Sequence, residues 1–272
     1  MSRQDSDNLW QRFIGVTRAR IGLGRAGDAL PTQHLLDFQA AHASACDAVA
    51  ARPDFDALAA QLTPTLSVHV HSAAPDRSTY LRRPDLGRML AAGSAALPQG
   101  SYDAVFVIAD GLSASAVQTH AIPMVMAVTA RLLQWNFGPV VLAEQARVAL
   151  GDEIGARMNA AMVVVLIGER PGLSVPNSLG AYLTYAPQVG RRDSERNCIS
   201  NIHGDGLSYE AAAEKLAWLM SRARQLRLTG VALKEDASGV AAPGLAAPDG
   251  GTAGIVTARI GNSDIIGAGQ HR

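Results

Sequence analysis

Cysteine is scarce in this chain. Only Cys46 and Cys198 occur among 272 residues. They lie far apart, without Cys/His spacing, which argues against a disulfide framework or a structural zinc site and points to a reducing, cytosolic compartment. A charge surplus is missing too: 24 Lys and Arg balance 24 Asp and Glu. That balance argues against nucleic acid as the main partner and gives little reason to sit on an anionic membrane. No apolar run is long enough to span a bilayer. The opening Met1-Ser2-Arg3-Gln4-Asp5-Ser6-Asp7-Asn8 is polar and has no apolar signal core. What is plentiful is core material, at 48% hydrophobic residues. That suffices for one large domain or a domain with substantial extensions.

The pattern predicts an α/β fold: a mainly parallel, Rossmann-like sheet with helices on both faces, plus a helical N-terminal region. Residues 1–100 read as that helical region and an interface segment. They hold a mixed stretch with arginines at 12, 18 and 20, then a helix from Thr32 as N-cap, carrying Leu35, Leu36, Phe38, His42 and Ala45. A short strand is expected at 67–70. Pro84-Asp85-Leu86-Gly87-Arg88 reads as the opening of another helix, with proline in its first turn.

From residue 101 to 236 the alternation is regular. Strands are predicted at 104–109, 140–143, 162–167, 182–185 and 198–202. A helix through Val117, Met124, Val125, Val128 and Leu132 is kinked or restarted by Pro123, and another covers 152–160. Ser208 caps a long helix with Ala212, Leu216, Leu219, Ala223 and Leu226 on one stripe. Strand–helix–strand alternation of this kind gives a parallel sheet. Residues 237–272, rich in Ala and Gly with Pro243 and Pro248, read as a flexible or loosely docked tail.

The most informative stretch is Val163-Val164-Val165-Leu166-Ile167-Gly168-Glu169-Arg170-Pro171-Gly172. Five apolar residues without alternation suit a strand covered on both faces. Gly168 frees the backbone and Pro171-Gly172 turns it, leaving Glu169 and Arg170 at the carboxyl end, where open α/β sheets hold ligands. On local grounds alone, Glu169 is expected to be neutralised by its own neighbour Arg170.

Other motifs read as structural. Gly22-Leu23-Gly24-Arg25-Ala26-Gly27 has the G-x-G-x-x-G spacing of a dinucleotide loop. The residues before it are too charged for a buried strand, however, and no acidic residue ends a second strand. Asp110-Gly111-Leu112-Ser113 follows a strand and opens a helix. Its amides could bind an oxyanion, but the favoured reading is that Asp110 and Ser113 satisfy the turn and cap the helix. Cys198 with His203 is a weak thiol–imidazole candidate. His69 and His71 share a strand face but lack further ligands.

Several segments together resemble the small (light) subunit of ethanolamine ammonia-lyase. They are Gly24-Arg25-Ala26-Gly27 followed by Thr32, Tyr80-Leu81-Arg82-Arg83-Pro84-Asp85-Leu86-Gly87-Arg88, Asp110-Gly111-Leu112-Ser113, Gly168-Glu169-Arg170-Pro171-Gly172-Leu173, and Asn197-Cys198-Ile199-Ser200-Asn201-Ile202-His203. Each run is short. Their shared order, from about Thr17 to Leu233, is specific.

The resemblance implies half of an adenosylcobalamin enzyme. A large barrel subunit binds ethanolamine, and the small subunit closes over the cobalamin between them, in a hetero-oligomer of paired subunits. Homolysis of the cobalt–carbon bond yields an adenosyl radical, and ethanolamine becomes acetaldehyde and ammonia. The protein supplies orientation and sequestration. Carried over by position, the cobalamin contacts fall on Val148, Glu169 and Cys198, with no catalytic residue and no metal ligand in this chain. Glu169 would accept from corrin amides, turn amides would donate, and Val148 and Cys198 would give apolar contact. No Asp-x-His-x-x-Gly signature occurs, so cobalt is expected to keep its own dimethylbenzimidazole base.

Two departures stand out. The extension before Trp10 is short and polar, so a free cytoplasmic enzyme is expected rather than one housed in a bacterial microcompartment. The chain also runs past the family's usual end near Leu233. The competing expectations are a stand-alone dinucleotide-binding oxidoreductase, resting on the glycine run at 22–27, and a non-catalytic scaffold of a metabolic shell.

Overall fold

Six strands share one sheet: β1 (Ser67–His71), β2 (Val105–Ala109), β3 (Val140–Glu144), β4 (Met162–Gly168), β5 (Leu179–Tyr185) and β6 (Asn197–Ile202), in the spatial order β1-β3-β2-β4-β5-β6. The computed structural model that shows this describes residues 10–233 except Gln11, Gly15, Arg18 and Ala95. The predicted flexible tail at 237–272 lies outside the described residues. Pairs β1–β3, β2–β3 and β2–β4 are parallel, while β4–β5 and β5–β6 are antiparallel. Only β5 therefore runs against the rest. Every residue of β2 and β4 is buried, as strands covered on both faces require. The link from β4 to β5 contains no helix, so the chain folds back antiparallel, since parallel neighbours need a longer crossover.

The helices packed with this sheet and its loops include α1 (Thr32–Ala50), α2 (Phe55–Leu62), α3 (Arg77–Arg82), α4 (Ala114–Thr129), α5 (Leu150–Arg157) and α6 (Tyr209–Leu226). Two-residue periodicity sorts the strands into two cores. Phe106, Ile108, Leu142, Val164 and Leu166 meet Val117 and Met124 of α4 and Leu216 and Met220 of α6. Val105, Val107, Val141, Val163 and Val165 meet Leu150 and Ile154 of α5. Each fully buried aliphatic side chain contributes about 1.5–3 kcal/mol before the cost of ordering the chain. The result is a mixed α/β fold with a mostly parallel sheet between helices.

Several local expectations need correction. Thr32 is the first helical residue of α1, not its cap; Pro31 precedes it and no side chain caps that end. The segment after Pro84 forms only a 3-10 turn, Leu86–Arg88. A Cβ at Gly87 would stand 2.9 Å from Arg147 Cγ and Tyr80 Cε2, so the backbone is pressed against both. Pro123 sits inside one continuous α4 and does not restart it. Ala212, Leu216, Leu219 and Ala223 form the buried stripe of α6, but Leu226 is exposed. The run Gly22, Gly24 and Gly27 has positive φ at each glycine and lies in a loop, with no strand before it among the described residues. The setting of a dinucleotide fingerprint is therefore absent there.

Candidate functional site

β2 is flanked by β3 on one side and β4 on the other. The chain leaves β2 through α4 on one face of the sheet and leaves β3 through α5 on the opposite face. Oppositely directed connections open a crevice at the strands' carboxyl ends, the usual ligand position in such sheets. Here the ends of β2 and β4 interlock. Leu112 N–H donates to the Gly168 carbonyl at 2.9 Å. A Cβ at Gly111 (φ +56°) would collide with the Gly168 carbonyl, and one at Gly168 with the Ser113 carbonyl. Both positions require glycine.

Beside this junction lies a cleft of about 920 Å³. Val148, Glu169 and Cys198 all line it. They come from separate segments: the loop between β3 and α5, the residue after β4, and the second residue of β6. Half-buried Val148 and Tyr182 pack on the sheet face that carries α5. Leu112 and Ile167 add further apolar wall.

Glu169 is held from outside its own segment. Its Oε2 accepts from Ser178 Oγ at 2.5 Å and from Asn201 N–H at 3.4 Å. Its backbone N–H donates to the Ser178 carbonyl at 2.9 Å. No ion pair joins it to Arg170 among the described residues, so the local expectation of self-neutralisation fails. Glycine at 180 gives the carboxylate room, since a Cβ there would lie 3.0 Å from Oε1.

Cys198 is exposed to the cleft opposite its cross-strand partner Tyr182. Surrounding protein pushes its thiol up despite that exposure, and Glu169 pushes the same way, while hydrogen bonding with Tyr182 opposes them. The Tyr182 hydroxyl is itself pushed up by burial and then by Cys198. A thiol held protonated is a poor nucleophile. The imagined partner is engaged elsewhere: the His203 ring bonds Asn201 Oδ1 at 2.8 Å and accepts from Asp205 N–H at 3.3 Å.

Sequence reasoning missed two of the cleft's cations, Arg147 and Arg196. Arg147 stacks over the buried ring of Tyr80 at 4.3 Å, with Arg77 at 4.9 Å from the same ring. The Tyr80 hydroxyl donates to the Ala146 carbonyl at 3.0 Å, and burial, then Asp110, pushes its ionisation up. Arg147 Nε is buried with no hydrogen-bond partner. Arg196 grips Asp152 with contacts of 2.5 and 2.7 Å and also donates to Thr184 Oγ1 at 2.9 Å. Burial opposes its charge, but Asp152 and then Asp193 together outweigh burial and hold the guanidinium above its ordinary value. Arg88 and Asp193 face each other at 4.0 Å on the lip. Arg147 follows β3 as Glu169 follows β4, so the carboxyl-end rule could have flagged it. Arg196 and Asp193 sit beside β6, and nothing in their local sequence marks them.

The turn after β2 is structural, as favoured. Asp110 is buried, pairs with Arg77 at 3.1 Å, and accepts from Gly111 N–H at 3.0 Å and Ala146 N–H at 2.9 Å. Burial pushes its carboxyl up; Ala146 N–H and then Arg77 draw it back. Ser113 accepts from Ala116 N–H and so caps α4. The expectation that turn amides donate to a ligand fails at Gly111 and Leu112, whose N–H groups are both used internally. Arg88, Arg147, Arg170 and Arg196 also line the cleft and carry guanidinium donors, those of Arg196 already engaged by Asp152 and Thr184. The cleft thus offers the carboxylates of Glu169, Asp85 and Asp193, several guanidinium groups and an apolar floor. Such a wall suits a large ligand whose edge carries both amide carbonyls and amide N–H groups.

The family model "Ethanolamine ammonia-lyase light chain (EutC)" matches residues 7–234. The chain is 52% identical over 243 residues to the ethanolamine ammonia-lyase small subunit of Ralstonia nicotianae, covering 85% of this chain and 90% of that one. It is 51% identical to the small subunit of Pseudomonas fluorescens strain Pf0-1 (86% and 89% covered) and 51% identical to that of Xanthomonas campestris pv. campestris strain ATCC 33913 (85% and 89% covered). Matches of this length and identity reach across the whole sheet and every segment of the cleft, and on them the chain belongs to the ethanolamine ammonia-lyase light-chain family.

Proposed function

We propose that this chain is the small subunit of an ethanolamine ammonia-lyase. With a large subunit that binds ethanolamine, it converts ethanolamine to acetaldehyde and ammonia. We further propose that its cleft takes the edge of adenosylcobalamin through Val148, Glu169 and Cys198. The observation that carries this reading is the meeting of these residues, from three separate segments, at one cleft beside the junction of β2 and β4.

The residues present fit such a group. A corrin edge presents amide N–H groups and carbonyls. Glu169 accepts, and its orientation is set by Ser178 and Asn201. Arg147 Nε is a buried donor without a partner, an arrangement that costs stability until an acceptor arrives. Val148 and Tyr182 give apolar contact, and Cys198 adds a protonated, uncharged surface. When bound, the cofactor supplies the radical chemistry that removes the amino group. This chain's residues bind its periphery, fix its orientation and exclude water from one side.

Under the same reading, the sheet is Rossmann-like and residues 101–236 are its cofactor-contacting unit. Residues 1–100 contribute to the contact with the large subunit, in a cytoplasmic enzyme. No helix among the described residues is long and apolar enough to cross a membrane. The test is reconstitution. The purified chain should release no ammonia from ethanolamine with adenosylcobalamin, and activity should appear on co-purification with a large subunit. Turnover by the chain alone would overturn this division of labour.

A further inference from the structure

The carboxylate of Glu169 is aimed by the Ser178 hydroxyl at 2.5 Å and the Asn201 N–H at 3.4 Å. Each of these donors leads back to a buried histidine that does not itself line the cleft. His203 Nε2 lies 2.8 Å from Asn201 Oδ1, and its Nδ1 accepts from Asp205 N–H at 3.3 Å. Because Nδ1 accepts, the ring proton sits on Nε2 and is donated to Asn201. Asn201 has φ +64°, a left-handed conformation that a side-chain-bearing residue keeps when its surroundings hold it there. His203 holds its side chain, and Leu207 N–H holds its carbonyl at 2.8 Å. A Cβ at Gly206 would stand 2.5 Å from His203 Nε2, so the chain closes tightly over the ring.

His120, on α4, supports the other donor. Its Nδ1 lies 2.6 Å from the Tyr209 hydroxyl. Burial lowers its pKa; the Asn177 carbonyl beside it opposes that shift, and nearby His203 adds to it. The buried Nε2 makes no hydrogen bond of normal geometry. A lone pair there would oppose the Asn177 carbonyl, so the ring proton belongs on Nε2 and Nδ1 accepts from Tyr209. Asn177 directly precedes Ser178. From the start of the same helix, Ser113 Oγ donates to the Pro176 carbonyl at 2.7 Å. The stretch 176–178 therefore rests on α4.

We propose that His120 and His203 are positioning residues: His203 fixes Asn201, His120 fixes the stretch 176–178, and through those two donors they hold Glu169 towards the cofactor. The inference rests on the cofactor reading of Glu169. The test is a double-mutant cycle, read by absorbance titration of adenosylcobalamin into the co-purified two-subunit complex. His120→Leu and His203→Leu should each weaken uptake about threefold to tenfold, the worth of one hydrogen bond. Placed on Glu169→Ala, either should change uptake by less than about twofold, because the group they act through is gone. A purely structural role would give the same loss in both backgrounds. Circular dichroism establishes that each variant is folded. Where a leucine variant is not, Tyr209→Phe replaces His120→Leu and Asn201→Gly replaces His203→Leu with the same expectation, since glycine carries φ +64° without strain. No loss in the parent, or an equal loss on Glu169→Ala, would overturn the inference and leave the cofactor reading standing. Uptake undiminished in Glu169→Ala alone would overturn that reading and this inference with it.

Discussion

At the scale of single residues, the cleft depends on groups held by distant partners. Cys198 should behave as an unreactive thiol, because surrounding protein and Glu169 push its ionisation up. Alkylation by iodoacetamide, followed by peptide mass spectrometry across a pH series, should place its midpoint above the ordinary thiol value of about 8.5. A midpoint at or below that value would contradict the environment described. Its neighbour Glu169 shows why such a site is only partly legible in sequence. The charge at a strand's carboxyl end was visible, but its restraint by Ser178 and Asn201, rather than by adjacent Arg170, depends on how β5 and β6 fold back.

His120 gives a second residue-scale prediction. Its Nδ1 lies 2.6 Å from the Tyr209 hydroxyl, and burial lowers its pKa below the ordinary value near 6.5. As pH falls through that ordinary value, the unfolded chain takes up the proton before the folded one. Stability from this group is therefore fully present above about pH 6.5 and is lost as pH falls towards the lower folded value. Urea unfolding between about pH 5 and pH 8 should show a shallower pH slope in His120→Gln than in the parent. Identical slopes would count against a buried neutral imidazole.

At the scale of elements, the glycine pair at the junction is the most exacting feature. Gly168→Ala drives a methyl into the Ser113 carbonyl and should destabilise the fold by about 2–4 kcal/mol, measured by denaturant midpoint. An exposed correction runs the other way. Helix α6 ends on Arg227 at φ +57°, where glycine carries no steric penalty, so Arg227→Gly should stabilise by about 0.5–1 kcal/mol. Elements were legible where burial left continuous apolar runs, as in β2 and β4, or where a side chain caps a helix, as Ser208 caps α6. They were misread where tertiary contact decides. The segment after Pro84 carries a helix-opening signal, yet Gly87 is pinned between Tyr80 and Arg147 and the turn stops. Helix α2 went unnoticed because it is short, although Asp54 caps it.

At the scale of the whole molecule, the order β3-β2-β4 and the alternation of α4 and α5 across the sheet put the loops after β2, β3 and β4 on one rim. The strand–helix alternation made this much of the layout foreseeable. The contribution of β5 and β6, which bring Tyr182, Asp193, Arg196 and Cys198 to the same cleft, was less so. Those segments are separated from the first rim by an antiparallel turn whose register is set by pairing with β4. The cleft is therefore a product of two chain regions.

The central claim is that this wall holds the corrinoid's edge. Absorbance titration of cobalamin into the co-purified two-subunit complex tests it most directly, comparing the parent with Glu169→Ala and Val148→Asp. The account predicts at least about tenfold weaker uptake in each variant, with complex formation intact by gel filtration. Uptake undiminished in both would contradict it.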